Sequence, residues 1–272
     1  MNNEVKEVCS CSSWKMSNQP THQLLSRLSS PDSRSSRINV LKLLASDNDE
    51  SICLDDFATL HVFDTLYTLL ELPDSEVVEL TYSAISFIFL NARQLSSATV
   101  SSLTKQFISS NCFAKVLNVL RSVPDSSPSN DFLSCLSTIE HLFSLPGTSS
   151  LEVPRLFIKC SGVQILFSLI KRPRVELVTR QRSVRILGSV EDLFTYVAKN
   201  IKYLRVILGH LGSGSAKEQM VGFEFLFAAI SRISVFHSQF FVNLVQCEVL
   251  PNLLNILNFS ESRRLSVMAS FV

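Results

Sequence analysis

The chain has 272 residues, of which 46% are hydrophobic and 18% are charged, and its 25 basic and 24 acidic side chains leave a net charge of +1. This composition is typical of a globular protein and excludes a disordered or collagen-like chain. A chain of this length buries enough surface to fold without disulfides or metal ions. Only seven glycines and nine prolines are present, which argues against a turn-rich β protein and favours an all-α fold.

The N-terminal segment and the cysteines indicate the cellular compartment of the protein. Residues 1–20 are polar, lack the apolar core of a signal peptide and predict a disordered arm. No apolar run reaches the length of a membrane helix, so we expect no membrane span. The seven cysteines are an odd number without the spacing of a disulfide framework. We therefore expect reduced thiols and a cytoplasmic or nuclear location.

A short apolar pattern recurs along the chain and predicts a repeat architecture. Phe63, Leu66, Leu69 and Leu70 have the spacing i, i+3, i+6 and i+7, which places them on one face of a helix. Further copies begin at 113, 163, 204 and 250, and a weaker one at 21, so the intervals are 42, 50, 50, 41 and 46 residues. A Pro or Gly follows nearly every copy and ends the helix. A second apolar helix then follows, at 77–90, 132–145, 177–194 and 221–233.

Two segments resemble armadillo repeats. In CSGVQILFSLIKRPRVELVTRQRSVRILGSVEDL (160–193), Gly162 lies at the start of the second helix and is followed by an apolar run, a break and a third helix. In CEVLPNLLNILNFSESRRLSVMASFV (247–272), the residues at 249–251 resemble the family's turn into the second helix. Repeats of roughly 40 to 47 residues occur in armadillo and HEAT arrays. The resemblance covers most of residues 21–272. It implies an all-α, right-handed α-α superhelix, an armadillo-like solenoid of about six irregular repeats.

Such a solenoid has an extended surface that usually carries its function. In peptide-binding armadillo proteins, the third helices carry a ladder of Asn side chains that hold an extended peptide by its backbone. The corresponding positions in this sequence are occupied by Phe89, His141, Asp192 and Arg232. The resemblance therefore does not imply binding of nuclear localisation signals of the importin kind.

No catalytic or metal-binding template fits the sequence. Residues 209–217 resemble a phosphate loop, but Ser215 stands where the Lys is required, so we expect an inter-helix turn. Cys9 and Cys11 lack further ligands at zinc spacing. Cys135 and His141 would point about 120° apart on one helix and would not meet. We therefore expect no enzyme, no cofactor and no metal.

Charge is segregated along the chain. Residues 45–80 contain ten acidic side chains and no Lys or Arg, whereas residues 151–205 contain eleven Lys or Arg and four acidic residues. The segment 171–185 carries a cluster of arginines opposed only by Glu176. Arginine binds carboxylates through two parallel hydrogen bonds, so we predict that this cluster anchors a protein partner with an acidic segment. The predicted anchor residues are Arg172, Arg174, Arg180, Arg182 and Arg185.

Alternatives to this anchor remain open. The arginines could form a solvated helix face that needs no partner, or they could bind phosphate in nucleic acid or in an acidic lipid headgroup. The preferred function is a non-catalytic protein-binding scaffold or adaptor, which uses the last helix of each repeat.

Two features of the sequence predict possible contacts between copies of the chain. The acidic repeat of one copy could meet the basic repeat of a second. The last residues, RLSVMASFV, continue an apolar helical pattern without a polar cap. Because solenoids need polar caps, we expect the domain at 21–272 to be incomplete at its C-terminus or to leave an apolar end for another subunit.

Overall fold

The computed structural model describes residues 19–30, 34–46, 54–122, 129–146, 152–232 and 238–259. These residues form 16 α-helices and no strand, which confirms the predicted all-α class. The α-helices are, in chain order, α1 (Gln19–Ser29), α2 (Arg34–Leu44), α3 (Leu54–Thr59), α4 (Val62–Leu70), α5 (Ser75–Asn91), α6 (Ser97–Ser109), α7 (Cys112–Arg121), α8 (Asn130–Ser144), α9 (Val153–Lys159), α10 (Gly162–Lys171), α11 (Leu177–Ser189), α12 (Glu191–Ala198), α13 (Ile201–Gly209), α14 (Ala216–Arg232), α15 (Ser238–Gln246) and α16 (Val249–Phe259). Short 3₁₀ turns follow α5 at Ala92–Gln94 and α13 at His210–Gly212.

The helices are arranged in units of three. After α1 and α2, four complete units follow, α3–α5, α6–α8, α9–α11 and α12–α14, and α15 and α16 begin another. The second helices stack on one another in the order α1, α4, α7, α10 and α13. The third helices, α2, α5, α8, α11 and α14, stack in the same way and form a surface that we call the third-helix face. With partial units at both ends, the described residues form the expected solenoid of about six irregular repeats, built of armadillo-type units of three helices.

The apolar pattern found in the sequence marks the second helix of each unit. Five units contain both a first and a second helix. In four of them, the residue before the second helix has a left-handed backbone: His61 (φ 50°), Asn111 (φ 65°), Ser161 (φ 63°) and Glu248 (φ 55°). One left-handed residue therefore turns the chain from the first helix into the second. The remaining unit, α12–α14, has Asn200 at this position. The backbone of Asn200 is extended, and its side chain accepts a hydrogen bond from the backbone N–H of residue 202.

Buried phenylalanines join consecutive units. Phe63 on α4 lies 5.5 Å from the ring of Phe89 on α5 and 5.2 Å from that of Phe107 on α6. Phe113 on α7 lies 6.5 Å from Phe157 on α9. In both cases the first helix of one unit covers the second helix of the unit before it, so no unit buries its apolar face alone.

The structure corrects two of the predicted ladder positions. The apolar stretch at 177–194 is not one helix, because α11 ends at Ser189, and Val190 is extended (φ −112°, ψ 120°) before α12 begins. Asp192 therefore lies on the first helix of the next unit, where its carboxylate is 4.0 Å from Arg155. Phe89 is fully buried and does not reach the third-helix face. The side chain of Arg232 lies outside the described residues.

Several sequence predictions fall on undescribed segments. The predicted arm at 1–20, with both N-terminal cysteines, lies outside the described residues apart from its last two positions, where α1 begins. The apolar C-terminal segment at 260–272 also lies outside them.

Within the described ranges, no single helix is both long and apolar enough to cross a membrane. Two bent pairs reach that length and composition together, Val153–Lys159 with Gly162–Lys171 and Phe240–Gln246 with Val249–Asn258.

Candidate protein-binding surface

The five predicted arginines fall into two groups. Arg172 and Arg174 are exposed in the turn between α10 and α11, next to the exposed Lys171. The other three lie on α11, and each forms an ion pair with a carboxylate on a neighbouring third helix. The cluster is therefore not one uniform cationic patch.

Arg180 links α11 to α14 inside the structure. Its side chain is only 5% exposed, and Nη1 and Nη2 donate to Oε2 and Oε1 of Glu218 at 2.5 and 2.7 Å. Nε donates to the carbonyl oxygen of Val175 at 3.1 Å. These donors are directed to the chain itself, so Arg180 holds the fold together and does not serve as an exposed anchor.

The same network extends to the turn before α14. Nδ1 of His210 lies 3.1 Å from Oε2 of Glu218. The hydrogen bonds from Arg180 hold the pKa of Glu218 below its usual range. Burial, together with the nearby guanidinium, lowers the pKa of His210. At neutral pH, His210 is therefore a neutral imidazole beside the ion pair of Arg180 and Glu218.

Arg182 and Arg185 form a row of alternating charges on the third-helix face. Nε of Arg182 donates to Oε2 of Glu140 at 2.7 Å, and its Nη2 donates to Oγ of Ser137 at 2.8 Å. Nε and Nη2 of Arg185 donate to Oε2 of Glu224 at 3.2 Å, while Nη1 is 3.5 Å from Oε1 of Glu140. The row crosses α8, α11 and α14, and its two cations balance its two carboxylates.

Three acidic residues of 45–80 are compensated in a similar way. Arg34, which precedes this stretch, contacts Asp74 and Glu76 at 2.5 and 2.8 Å. Lys115, which follows it, lies 2.5 Å from Glu71. Stacking of adjacent units therefore places part of the acidic stretch against cations from neighbouring units.

Two depressions lie along the third-helix face. The first has a volume of about 450 Å³ between α5 and α8, and the second about 300 Å³ among α8, α11 and α14. Serine hydroxyls and apolar side chains line the first, including Ser83, Ser86, Phe87, Leu90, Leu133 and Ser134. The exposed carboxylate of Glu79 also lines it and accepts a hydrogen bond from Nδ2 of Asn130 at 2.8 Å. The second includes Glu140, Phe143, Arg185, Ser189, Glu224 and Phe227. Both offer hydrogen-bonding groups beside apolar surface, a combination found in ligand-binding clefts.

The serines that line the first depression were not predicted as site residues, although their spacing in the sequence could have indicated them. Both α5 and α8 carry two serines three residues apart on the side of the helix away from the apolar stripe, Ser83 with Ser86 and Ser134 with Ser137. The hydroxyls of Ser83 and Ser134 lie 3.2 Å apart across the two helices. The aromatic residue of α5 that lines the depression is Phe87, two positions before the predicted Phe89.

The thiol and imidazole considered for catalysis lie in different surroundings. Cys135 is fully buried, and burial raises the pKa of its thiol well above the usual value. His141 is half-buried, with Nδ1 3.1 Å from Nη2 of Arg93.

Other sequence motifs take structural roles. Residues 209–217 form the predicted inter-helix turn, because α13 ends at Gly209 and α14 begins at Ala216. In the part of the chain that the structure describes, no three His, Cys, Asp or Glu side chains are close enough to hold a metal ion.

Comparison with solved structures identifies armadillo repeat proteins as structural neighbours. The designed armadillo repeat protein YIII(Dq.V1)4CPAF, in complex with the peptide (KR)4, is 17% identical, with a TM-score of 0.66 over 93% of this chain and 97% of its own. The designed armadillo repeat protein YIII(Dq)4CqI is 14% identical, with a TM-score of 0.63 over 91% of this chain and 96% of its own. A computationally designed armadillo repeat protein for modular peptide recognition is 15% identical, with a TM-score of 0.63 over 91% of this chain and 96% of its own.

These likenesses confirm that the chain has the armadillo-repeat fold, as its sequence predicted. No protein-family description and no curated protein matches the sequence.

Proposed function

We propose that the chain is a non-catalytic scaffold that binds an extended segment of a partner protein along its third-helix face. The observation that carries this proposal is the row of stacked third helices with two depressions in line. Among proteins of the same fold, one is solved with a bound peptide and another is designed for modular peptide recognition. An extended backbone suits such a row, because its polar groups need partners at regular intervals.

The charges on this face indicate which segment fits. The carboxylates of Glu140 and Glu224 are already occupied by arginines of α11, so a basic peptide such as the neighbour's (KR)4 would have to displace these ion pairs. Besides the carboxylate of Glu79, the first depression contains hydroxyls, Phe87 and Leu90, which suit a polar backbone with apolar side chains. The bound segment is therefore expected to carry apolar residues at the first depression.

An acidic stretch of the same partner is expected to meet the turn between α10 and α11. Lys171, Arg172 and Arg174 are all exposed there, and the turn leads directly into α11. We therefore propose Arg172 and Arg174 as the electrostatic anchor, because both are exposed. Arg182 and Arg185 then contribute as parts of the neutral row, while Arg180 stabilises the fold.

Peptide display against the intact chain, followed by calorimetry on a selected peptide, tests the proposal. Ser134→Arg would fill the first depression and is expected to weaken binding at least about ten-fold, the equivalent of about 1.4 kcal/mol. The matched control Ala114→Arg adds the same side chain at an exposed position of α7, a second helix, and should leave affinity unchanged. Equal effects of the two substitutions, or no peptide selected at all, would contradict the proposal.

The acidic stretch is tested by charge reversal. Arg172→Glu with Arg174→Glu should weaken binding of an acidic peptide and reduce its salt dependence. Reversal of two exposed cations on first helices, Lys105→Glu with Lys159→Glu, is the control for net charge. If both double variants behave alike, the turn is not the anchor.

Phosphate recognition is the second candidate function, and the exposed cations at 171–174 are the observation that favours it. Three cations neutralise few phosphates, and such a site binds nucleic acid weakly at physiological salt. Competition of the selected peptide by nonspecific duplex DNA, or by vesicles with anionic lipid, distinguishes the two functions. If DNA or vesicles compete with the peptide for the wild-type chain but not for the Arg172→Glu and Arg174→Glu double variant, phosphate recognition would be favoured.

A further inference from the structure

The second depression on the third-helix face lies where small residues let two helices approach closely. A Cβ atom added at Gly188 of α11 would lie 2.9 Å from the Cβ of Ala228 of α14. Larger side chains of α8, α11 and α14 surround this point. The resulting volume of about 300 Å³ is at the lower end of the range for ligand sites, so it suits one large side chain of a bound segment. The apolar lining consists of Phe143, Ile186, Phe227 and Ala228.

The guanidinium of Arg185 is held at this depression by both neighbouring third helices. Nε and Nη2 donate to Oε2 of Glu224 at 3.2 Å, and Nη1 lies 3.5 Å from Oε1 of Glu140. The N–H bonds of a guanidinium lie in its plane, so these contacts engage its edges. The side chain is 46% exposed, and the flat face of the group, which stacks on aromatic rings, is the part left for a ligand.

The polar groups of the depression that are open to a ligand are hydrogen-bond acceptors. The hydroxyls of Ser144 and Ser189 donate their protons to backbone carbonyls of their own helices, at 2.7 and 3.4 Å. Both hydrogen bonds from Arg185 to Glu224 end on Oε2, so Oε1 of Glu224 keeps its lone pairs for another donor. A ligand group with an N–H or O–H at its edge therefore meets suitable partners here.

The charges around the depression favour a neutral ligand group. A Lys or Arg of the ligand would have to displace Arg185 from its carboxylates and would enter a site with apolar walls. A ligand carboxylate would approach Glu140 and Glu224, which both line the depression. Tryptophan and tyrosine combine a large apolar ring with one hydrogen-bond donor and no charge.

We propose that the second depression binds a tryptophan or tyrosine side chain, whose ring stacks on the guanidinium of Arg185 and whose N–H or O–H donates to an acceptor of the depression. This inference rests on the proposed function, because the side chain belongs to the segment bound along the third-helix face. It adds an aromatic residue at the second depression to the apolar residues expected at the first. Trp and Tyr are among the residues that dominate binding energy at interfaces, so this residue is expected to anchor the segment.

Titration with single amino-acid derivatives tests the site. N-acetyl-tryptophanamide is added to the intact chain, and the δ1-methyl signal of Ile186, which lines the depression, is followed by NMR. A saturable shift is expected, because an aromatic ring placed beside this methyl group changes its local magnetic field. N-acetyl-phenylalaninamide lacks the donor and should bind about three-fold more weakly. N-acetyl-leucinamide and N-acetyl-lysinamide should give no saturable shift.

Two variants, each with a control, locate the binding. Arg185→Lys keeps the charge but removes the flat face, and should weaken binding of the tryptophan derivative about five-fold. Arg182→Lys, the same change one turn earlier on α11, should leave it unchanged. Ser189→Leu fills the depression and should abolish the shift, whereas Ser168→Leu on α10 should not. Both serines are half-buried and donate to a carbonyl three residues earlier, so the two leucines have comparable structural costs, and circular dichroism verifies folding.

The proposal is overturned if no derivative gives a saturable shift, if the leucine or lysine derivative binds as tightly as the tryptophan derivative, or if either variant binds like its control. Failure of the scaffold function has a different result. If the tryptophan derivative binds but no peptide is selected, the aromatic site stands and the scaffold function is wrong. If selected peptides keep their affinity when each Trp or Tyr is replaced by Leu, the scaffold function stands and the aromatic site is wrong.

Discussion

Removal of the Arg180 side chain should destabilise the protein more than removal of any exposed arginine in the same cluster. The guanidinium makes two hydrogen bonds to Glu218, at 2.5 and 2.7 Å, and one to the carbonyl oxygen of Val175 at 3.1 Å. Arg180→Ala leaves the carboxylate and the carbonyl without these donors. Breaking a buried pair in this way costs about 3–5 kcal/mol. Because the side chain of Glu218 is 28% exposed, water compensates in part, and we expect about 3 kcal/mol.

Thermal and urea unfolding, followed by circular dichroism, measure this cost. A loss of about 3 kcal/mol corresponds to a fall in Tm of roughly 6–12 °C by the scaling for chains of 150–250 residues. Arg174→Ala, at an exposed position of the same cluster, should change stability by less than about 0.5 kcal/mol. The double variant Arg180→Ala with Glu218→Ala should be less destabilised than the sum of the single variants, because the two side chains act as a pair. The reasoning is refuted if Arg180→Ala and Arg174→Ala unfold alike.

The same network predicts the direction of the pH dependence. Hydrogen bonds from Arg180 lower the pKa of Glu218 in the folded state, so its contribution to stability is present above the unfolded pKa and is lost as pH falls through the folded value. Burial lowers the pKa of His210, so the unfolded state binds the proton first and stability also falls as pH drops below about 6.5. Stability should therefore decrease from pH 7 to pH 4. Arg180→Ala should flatten this decrease, and an unchanged slope would contradict the assignment.

Two matched pairs of substitutions test the turn into the second helix. Ser161→Gly should stabilise the protein by about 0.5–1 kcal/mol, because a side chain is unfavourable at φ 63°, whereas Asn200→Gly, at φ −111° with a capping side chain, should not stabilise it. Thermal unfolding decides, and the same sign for both would refute the role given to the left-handed residue. Gly162→Ala should cost about 1–3 kcal/mol, because an added Cβ would overlap the ring of Phe157. Gly209→Ala meets no heavy atom within 4 Å and should stay within about 0.5 kcal/mol of wild type in urea unfolding; equal losses would contradict the contact with Phe157.

The second helices were predictable from the sequence alone. Their apolar patterns begin at 63, 113, 163, 204 and 250, and the helices begin at 62, 112, 162, 201 and 249. This agreement has a physical reason, because burial of one helix face imposes a period of 3.6 residues on the apolar positions of that same segment. Because the pattern lies within one segment, it identifies the helix without any information about the helices that pack against it.

The break between α11 and α12 was not predictable in the same way. Gly188 lies inside α11, one position before its last residue, no Pro or Gly separates α11 from α12, and the apolar pattern continues across the break. The chain changes direction at Val190 because α12 packs on α9 and α13 as a first helix. A contact with another unit therefore decides where this helix ends, which is why Asp192 was assigned to the wrong helix.

The division of the arginine cluster also depended on contacts between units. The sequence by itself determined that the chain is an array of helices with an acidic stretch, a basic stretch and apolar stripes that must be buried. Only the tertiary structure decided which charges meet, because Arg34 and Asp74 are 40 residues apart and the partners of Arg180, Arg182 and Arg185 lie 38 to 42 residues away. Each separation is about one repeat, so side chains that are segregated along the chain become neighbours when units stack. Apolar periodicity is a property of one segment, whereas an ion pair is a property of two, and the register between two units exists only in the folded array.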